Sequence, residues 1–288
     1  MLGAMAKTLG QAGLPVLIVV WARALFGALM TLPFALHAEG ARAFRPARPW
    51  HQLIRTVLLF TSTWAFFMSL NSLPMADALS IFFVNPLVIV VLSALVLPEK
   101  VDGQRWLAVV AGFIGTLVII RPGVVAVNLG TLYALASGIT LGTYFVMTRH
   151  IAGAANATVL TFQTCAIGAA LMILALPFVW NPPTGPQWVM FVLFGLIATI
   201  GHVMITRSYE HAEASLLAPL AFPEVVMTTL LGGRVLNGLP YRWTKLGVVI
   251  LIASAIAISL REQRLTIDRK STRLNSSHST LSRMPSSA

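Results

Sequence analysis

Ala76-Asp77-Ala78, Asn85-Pro86, Glu99 and Gly112 follow one another in the first half of the chain. Ala212-Glu213-Ala214, Pro219, Arg234 and Gly247 follow in the same order in the second. Around these markers, nearly everything from Leu14 to Leu260 is apolar runs parted by short turns. About twenty apolar residues, each rising ~1.5 Å, cross the ~30 Å hydrocarbon layer of a bilayer, so each run reads as a spanning helix. A pattern that runs twice through such a chain marks a carrier that rocks one half against the other.

Composition agrees. The chain has 288 residues, of which 57% are hydrophobic and 10% charged. A soluble domain carries roughly 25% charged residues, so that class is excluded. The net charge of +11 invites a nucleic-acid reading. The cations sit in short loops instead, without a basic helix face or an aromatic–basic surface to track phosphates, so no nucleic-acid partner is expected. Cys165, the single cysteine, lies inside an apolar run and has no partner for a disulfide or a thiolate metal site. It reads as a small buried hydrophobe.

Spans are predicted near 14–36, 53–73, 75–97, 105–121, 129–149, 157–179, 188–209, 213–236 and 241–260. The segment 1–13 is too short to cross and reads as the trailing end of a further helix. Pro46 and Pro49, Pro122-Gly123 and Asn181-Pro182-Pro183 punctuate the connections. Short loops rich in Lys and Arg stay cytoplasmic. Arg42, Arg45 and Arg48 share one loop, Lys100 and Arg105 the next alternate one, and Arg149, Arg207, Arg261 and Arg264 continue the series. Arg234, Arg242 and Lys245 are the exceptions. The C-terminus is therefore expected in the cytoplasm, and with the further helix restored the N-terminus too. Five helices per repeat is an odd number, so the two halves are expected to enter the membrane in opposite directions around one central site. Half of the residues from Ser271 to Ala288 are Ser or Thr without apolar periodicity, so the tail is expected to be disordered and non-native.

Polar groups at membrane depth are costly and need a reason. Glu224 lies near the middle of its run beside Pro223. It reads either as a proton-coupling or substrate-cation site, or as a protonated carboxyl bonded to a neighbouring helix. Arg23, beside Trp21, can hold an anionic group such as a carboxylate, snorkel to the headgroups, or pair with another helix. Pro86, Pro219 and Pro223 are candidate kinks or hinges, since proline removes a donor and disturbs the carbonyl four residues earlier. That makes Asn85 a candidate ligand for a polar solute. Asn71, Trp64, Tyr144 and Gln163 can line a path by hydrogen bonding or stacking, or simply pack between helices. His202 can relay protons or bond another helix as neutral imidazole. Glu99, Lys100, Asp102 and Arg105 read as a solvated turn, with a gate salt bridge as the alternative.

Taken with Leu73-Pro74-Met75, Phe83-Val84-Asn85-Pro86-Leu87, Arg105-Trp106, Tyr133-Ala134-Leu135, Ser208-Tyr209, Ala214-Ser215-Leu216 and Ala218-Pro219-Leu220, the markers resemble the drug/metabolite transporter superfamily in its EamA-type branch. The resemblance covers about 2–264 and looks nearest to S-adenosylmethionine and riboflavin uptake carriers. It implies an all-α polytopic protein of two inverted five-helix repeats, here 1–124 and 125–264 with a tail over 265–288. Such a protein moves a small organic metabolite or drug across the bacterial inner membrane. Two departures from that pattern are expected: 1–13 stands for the end of a first helix, and Arg234 replaces the acidic residue matching Glu99. A lipid bilayer and a small-molecule solute are the implied partners, with a homodimer admitted. No cofactor or metal is expected. Phosphate-binding, Gly-x-Ser-x-Gly and His-Glu-x-x-His motifs are missing, which argues against a pump or an intramembrane enzyme. A non-transporting scaffold is the remaining alternative.

Overall fold

The computed structural model describes residues 9–10, 13–73, 75–97, 101–120 and 128–221, with isolated positions 246, 249, 250, 253 and 256. Glu224 and Pro223 lie outside the described residues, as do Glu99, Lys100, Arg234, Gly247, Pro122-Gly123 and the tail. Every secondary-structure element among the described residues is a helix. That follows from the solvent, because in hydrocarbon every backbone N–H and C=O must be satisfied within its own segment.

The elements are α1 Val16–Glu39, α2 Pro49–Ser69, α3 Met75–Phe82, α4 Asn85–Val96, α5 Gly103–Ile120 and α6 Leu129–His150. They continue with α7 Ala157–Ile173, a short α8 Leu176–Val179, α9 Gly185–His211 and α10 Ala214–Leu217, which tightens into a 3-10 turn over Ala218–Ala221. Among the described residues, Val16–Phe44, Leu129–His150 and Gly185–His211 are long and apolar enough to cross a membrane on those grounds alone. Their outer surface carries Phe34, Leu132 and Met204, which would be a liability in water and suit lipid.

Some helix starts are fixed by polar caps. Asn128 Oδ1 accepts from the Thr131 N–H at 3.0 Å, while the Thr131 hydroxyl accepts from the Asn128 N–H. Asn156 accepts from the Thr158 N–H at 2.9 Å to open α7. α1 ends at Gly40, whose φ of 58° suits a residue without Cβ.

Two of the expected continuous spans are broken. The run 75–97 divides at Phe83–Val84, just before Pro86, and the run 157–179 divides before Pro177. Both breaks follow from the missing proline N–H and the crowding of its ring against the preceding turn.

The closest pairings join the two halves of the sequence. α2 runs along α6, and α1 packs on both α7 and α9. A single apolar cluster accordingly draws Ile18, Phe60 and Phe67 from the first half and Tyr144, Phe191 and Phe194 from the second. Close approach is permitted by small residues, as membrane helices require. At Gly195, an added Cβ would lie 2.5 Å from Phe26 Cβ.

The cation-bearing connections share one end of the bundle. There Glu39 accepts from the Asn156 N–H at 3.0 Å, His51 stacks on His150, and Arg149 donates to the Tyr209 carbonyl at 2.9 Å. At the opposite end, Asn181 donates to the Gly13 carbonyl at 3.2 Å.

Candidate functional site

The polar centre of the bundle is built on Arg55. α2 starts at Pro49, so this residue lies about two turns inside the helix and is fully buried. Its Nε donates to Thr148 Oγ1 at 2.9 Å. Nη1 donates to Thr164 Oγ1 at 3.1 Å, and to Gln52 Oε1 and the Leu160 carbonyl at 3.3 Å. Nη2 donates to Tyr144 Oη at 3.0 Å and Thr206 Oγ1 at 3.2 Å. The guanidinium also lies 5.2 Å from the centroid of the Tyr144 ring. One side chain of the first half is thus held by α6, α7 and α9 of the second. Every one of these acceptors is neutral.

The network extends inward. Tyr144 Oη lies 2.8 Å from His202 Nε2, and the two rings stack at 5.6 Å. Gln52 closes the outer side by donating to Thr164 Oγ1 at 2.8 Å and to the Leu160 carbonyl at 3.0 Å. Buried polar networks of this kind are stabilising only when satisfied, because an unpaired member in low dielectric is costly. Here all five N–H groups of Arg55 have acceptors.

Arg23 is the second cation of the interior. It sits about two turns into α1, partly buried. Nη1 donates to Thr63 Oγ1 at 2.9 Å, and the guanidinium lies 5.8 Å from the centroid of the Phe60 ring. Tyr144, Cys165 and His202 all fall within electrostatic range of its charge.

Asn85 has a local task. Pro86 cannot donate to the Phe82 carbonyl four residues before it. Asn85 Nδ2 donates to that carbonyl instead, at 3.0 Å, and so replaces the bond the proline removes. The amide is buried, and among the described residues its Oδ1 has no partner. A double-mutant cycle tests this assignment. Asn85→Leu is expected to cost about 1–2 kcal/mol in the parent chain, the penalty for an orphaned buried carbonyl. In Pro86→Ala, where a backbone N–H is restored, the same change is expected to cost distinctly less. Equal costs in denaturant titrations of the two backgrounds would refute the capping role.

The remaining sequence candidates scatter. Gln163 is buried and donates to the Ala43 carbonyl at 3.0 Å, tying α7 to the α1–α2 connection. Trp64 meets Tyr133 edge to face at 5.6 Å, towards the other end. Asn71 is exposed there, with Met68 Sδ at 3.8 Å. Pro219 lies in the 3-10 turn after α10. Tyr144 and His202 are the two candidates that join the Arg55 network. Arg55 and Gln52 themselves had not been singled out. Their signal was Pro49, which starts the helix early enough to carry both inside.

The cation-bearing end also carries charge across the halves. Arg105 pairs with Glu213 and donates to Ser215 Oγ at 2.8 Å. Glu213, Arg149, His150 and Glu210 line an open cavity of about 790 Å³ at the same end. Arg105, expected in a solvated turn or, as the alternative, in a salt bridge, is buried and bridges α5 to the start of α10 by pairing with Glu213.

Comparison with known proteins matches the model of the EamA-like transporter family over residues 1–121 and 128–260. A riboflavin transporter of Rhizobium johnstonii is 26% identical over 83% of this chain and 79% of its own length. An S-adenosylmethionine uptake transporter of Rickettsia bellii is 24% identical over 85% and 84%. A pseudopaline exporter of Pseudomonas aeruginosa is 23% identical over 86% and 88%. A solved crystal structure superposes with a TM-score of 0.74 at 21% identity, covering 92% of this chain and 96% of its own, which speaks to the fold.

Proposed function

Because the chain belongs to the EamA-like transporter family, we propose that it is a secondary transporter moving a small organic metabolite or drug by alternating access. Its relatives carry names for uptake and for export, and each name refers to a small organic compound. The observation that carries the reading is the Arg55 network. It locks a helix of the first half to three helices of the second through polar contacts near one end of the bundle. Contacts of that kind can break and reform with water or solute as a mouth opens.

In this account the repeats 1–124 and 125–264 insert in opposite directions. The cation-bearing end faces the cytoplasm of a bacterial inner membrane, and the cavity beside Glu213 is the cytoplasmic vestibule. Arg105–Glu213 and the Arg55 network close that mouth in succession. Gradient energy enters through exchange or through a protonatable carboxyl such as Glu224.

The test is flux into proteoliposomes across a panel of amino acids, riboflavin and S-adenosylmethionine. Gradient-dependent accumulation of one solute, at least tenfold above empty liposomes and lowered by Glu224→Gln, is the expected result. Chemical conversion of a solute without movement would replace this reading with an enzyme. Neither movement nor conversion would favour a scaffold.

A further inference from the structure

We propose that the transported solute carries a carboxylate or a comparable anionic group, and that Arg23 is the ligand for it. The proposal rests on the reading of the chain as a solute carrier. Its basis is an imbalance of fixed charge among the described residues of the interior. Arg55 is fully buried and bonded to neutral acceptors alone. Arg23 stands about two turns in from the other end, and among the described residues neither guanidinium is paired with a carboxylate. His202 lies within electrostatic range of both. Two cations in an interior of low dielectric create a standing attraction for an anion of the right size.

The two arginines differ in what they have left to give. Arg55 has spent all five donors on the walls. Arg23 has one hydrogen bond among the described residues, to Thr63, and the Phe60 ring beneath it. Thr63 and Phe60 hold the side chain and leave four of its five N–H donors without an acceptor among the described residues, enough to receive a carboxylate through two parallel bonds. α1 packs on α7 and α9, and Tyr144, Cys165 and His202 of α6, α7 and α9 lie within electrostatic range of the Arg23 charge. Arg23 therefore stands beside helices of the second half, and the seam between halves is where an alternating-access carrier holds its cargo.

The experiment uses the full chain in nanodiscs and reads thermal unfolding by tryptophan fluorescence. The probes are succinate against succinamide, and indole-3-acetate against indole-3-acetamide, each pair differing in the anionic group. Each acid is expected to stabilise the protein at a concentration at least tenfold below its amide. Arg23→Gln is expected to abolish that preference, whereas Arg42→Gln, at an exposed loop position, leaves it intact. Should Arg23→Gln fail to fold, Arg23→Lys serves instead, with the preference retained but weakened. Equal response to acid and amide, no response to either, or a preference that survives Arg23→Gln would overturn the proposal. So would a double variant Arg23→Gln/Glu224→Gln that regains the stability lost in Arg23→Gln, since that identifies an internal ion pair. Flux of the same probes separates the two readings. Amides that accumulate while acids do not would leave the carrier and remove the anion site. Acids that bind without moving would leave the anion site and remove the carrier.

Discussion

Arg55→Lys is expected to reduce flux at least tenfold and to cost about 3 kcal/mol of stability, as two of the charge-assisted hydrogen bonds are lost. The guanidinium reaches acceptors on three helices of the second half because its five donors are fixed in a planar fork. A lysine ammonium keeps the charge and has three donors around one point. It can satisfy Thr164 and the Leu160 carbonyl, or Tyr144 and Thr206, but not both sets. Arg55→Leu is expected to separate stability from function. Thr148 and Thr164 already donate to the Tyr144 and Leu160 carbonyls at 2.8 Å, so they retain partners when the cation is removed. Replacing a buried ion pair or triad by apolar residues of similar volume is often neutral or stabilising, and the partners left behind here carry no charge. Arg55→Leu should therefore unfold closer to the parent than Arg55→Lys, yet carry no flux, because the mouth is then sealed by an apolar contact. Denaturant unfolding in nanodiscs and flux on the same preparations check both statements. Parent-like flux in either variant would contradict them.

Gly138→Val is expected to abolish recovery of folded protein. An added Cβ at this position lies 2.6 Å from both the Phe82 carbonyl oxygen and Val84 Cγ1. Phe82 and Val84 form the break between α3 and α4, so the obstacle includes backbone that no rotamer change can move aside. Gly138→Ala already overpacks the contact and should cost about 1–3 kcal/mol. Gly201 is the control, because an added Cβ meets nothing within 4 Å there. Gly201→Ala should be neutral or stabilise α9 by up to about 1 kcal/mol through helix propensity. Folded yield and thermal unfolding of the three variants check the ranking. A Gly138→Val protein that folds like the parent would mean that α6 does not seat on the break.

Much of this architecture could be read from hydropathy, since membrane helices must be long and apolar. The expected run 129–149 became Leu129–His150, and 14–36 became Val16–Glu39. The breaks were harder. Pro86 signalled a disturbance, but the two-residue interruption depends on Asn85 folding back to the Phe82 carbonyl, a side-chain choice that apolar periodicity does not encode. The polar centre was half legible. Tyr144 and His202 stood out as polar residues within apolar runs, and both belong to it. Arg55 follows closely on Arg42, Arg45 and Arg48 and so reads as one more loop cation, although the start of α2 at Pro49 takes it inside. Arg105 was obscured in the same way, because its partner Glu213 is far along the sequence and the pairing exists only once the halves have packed.

The claim beneath all of this is that the two halves part at the cation-bearing mouth during each cycle. Cys165 is the sole cysteine and is buried, so Cys165→Ala provides a clean background for Arg105→Cys and Glu213→Cys, one on each half. Joining the pair with a short, cleavable bifunctional maleimide is expected to stop flux, and cleaving the linker is expected to restore it. Undiminished flux through fully cross-linked protein would contradict the account.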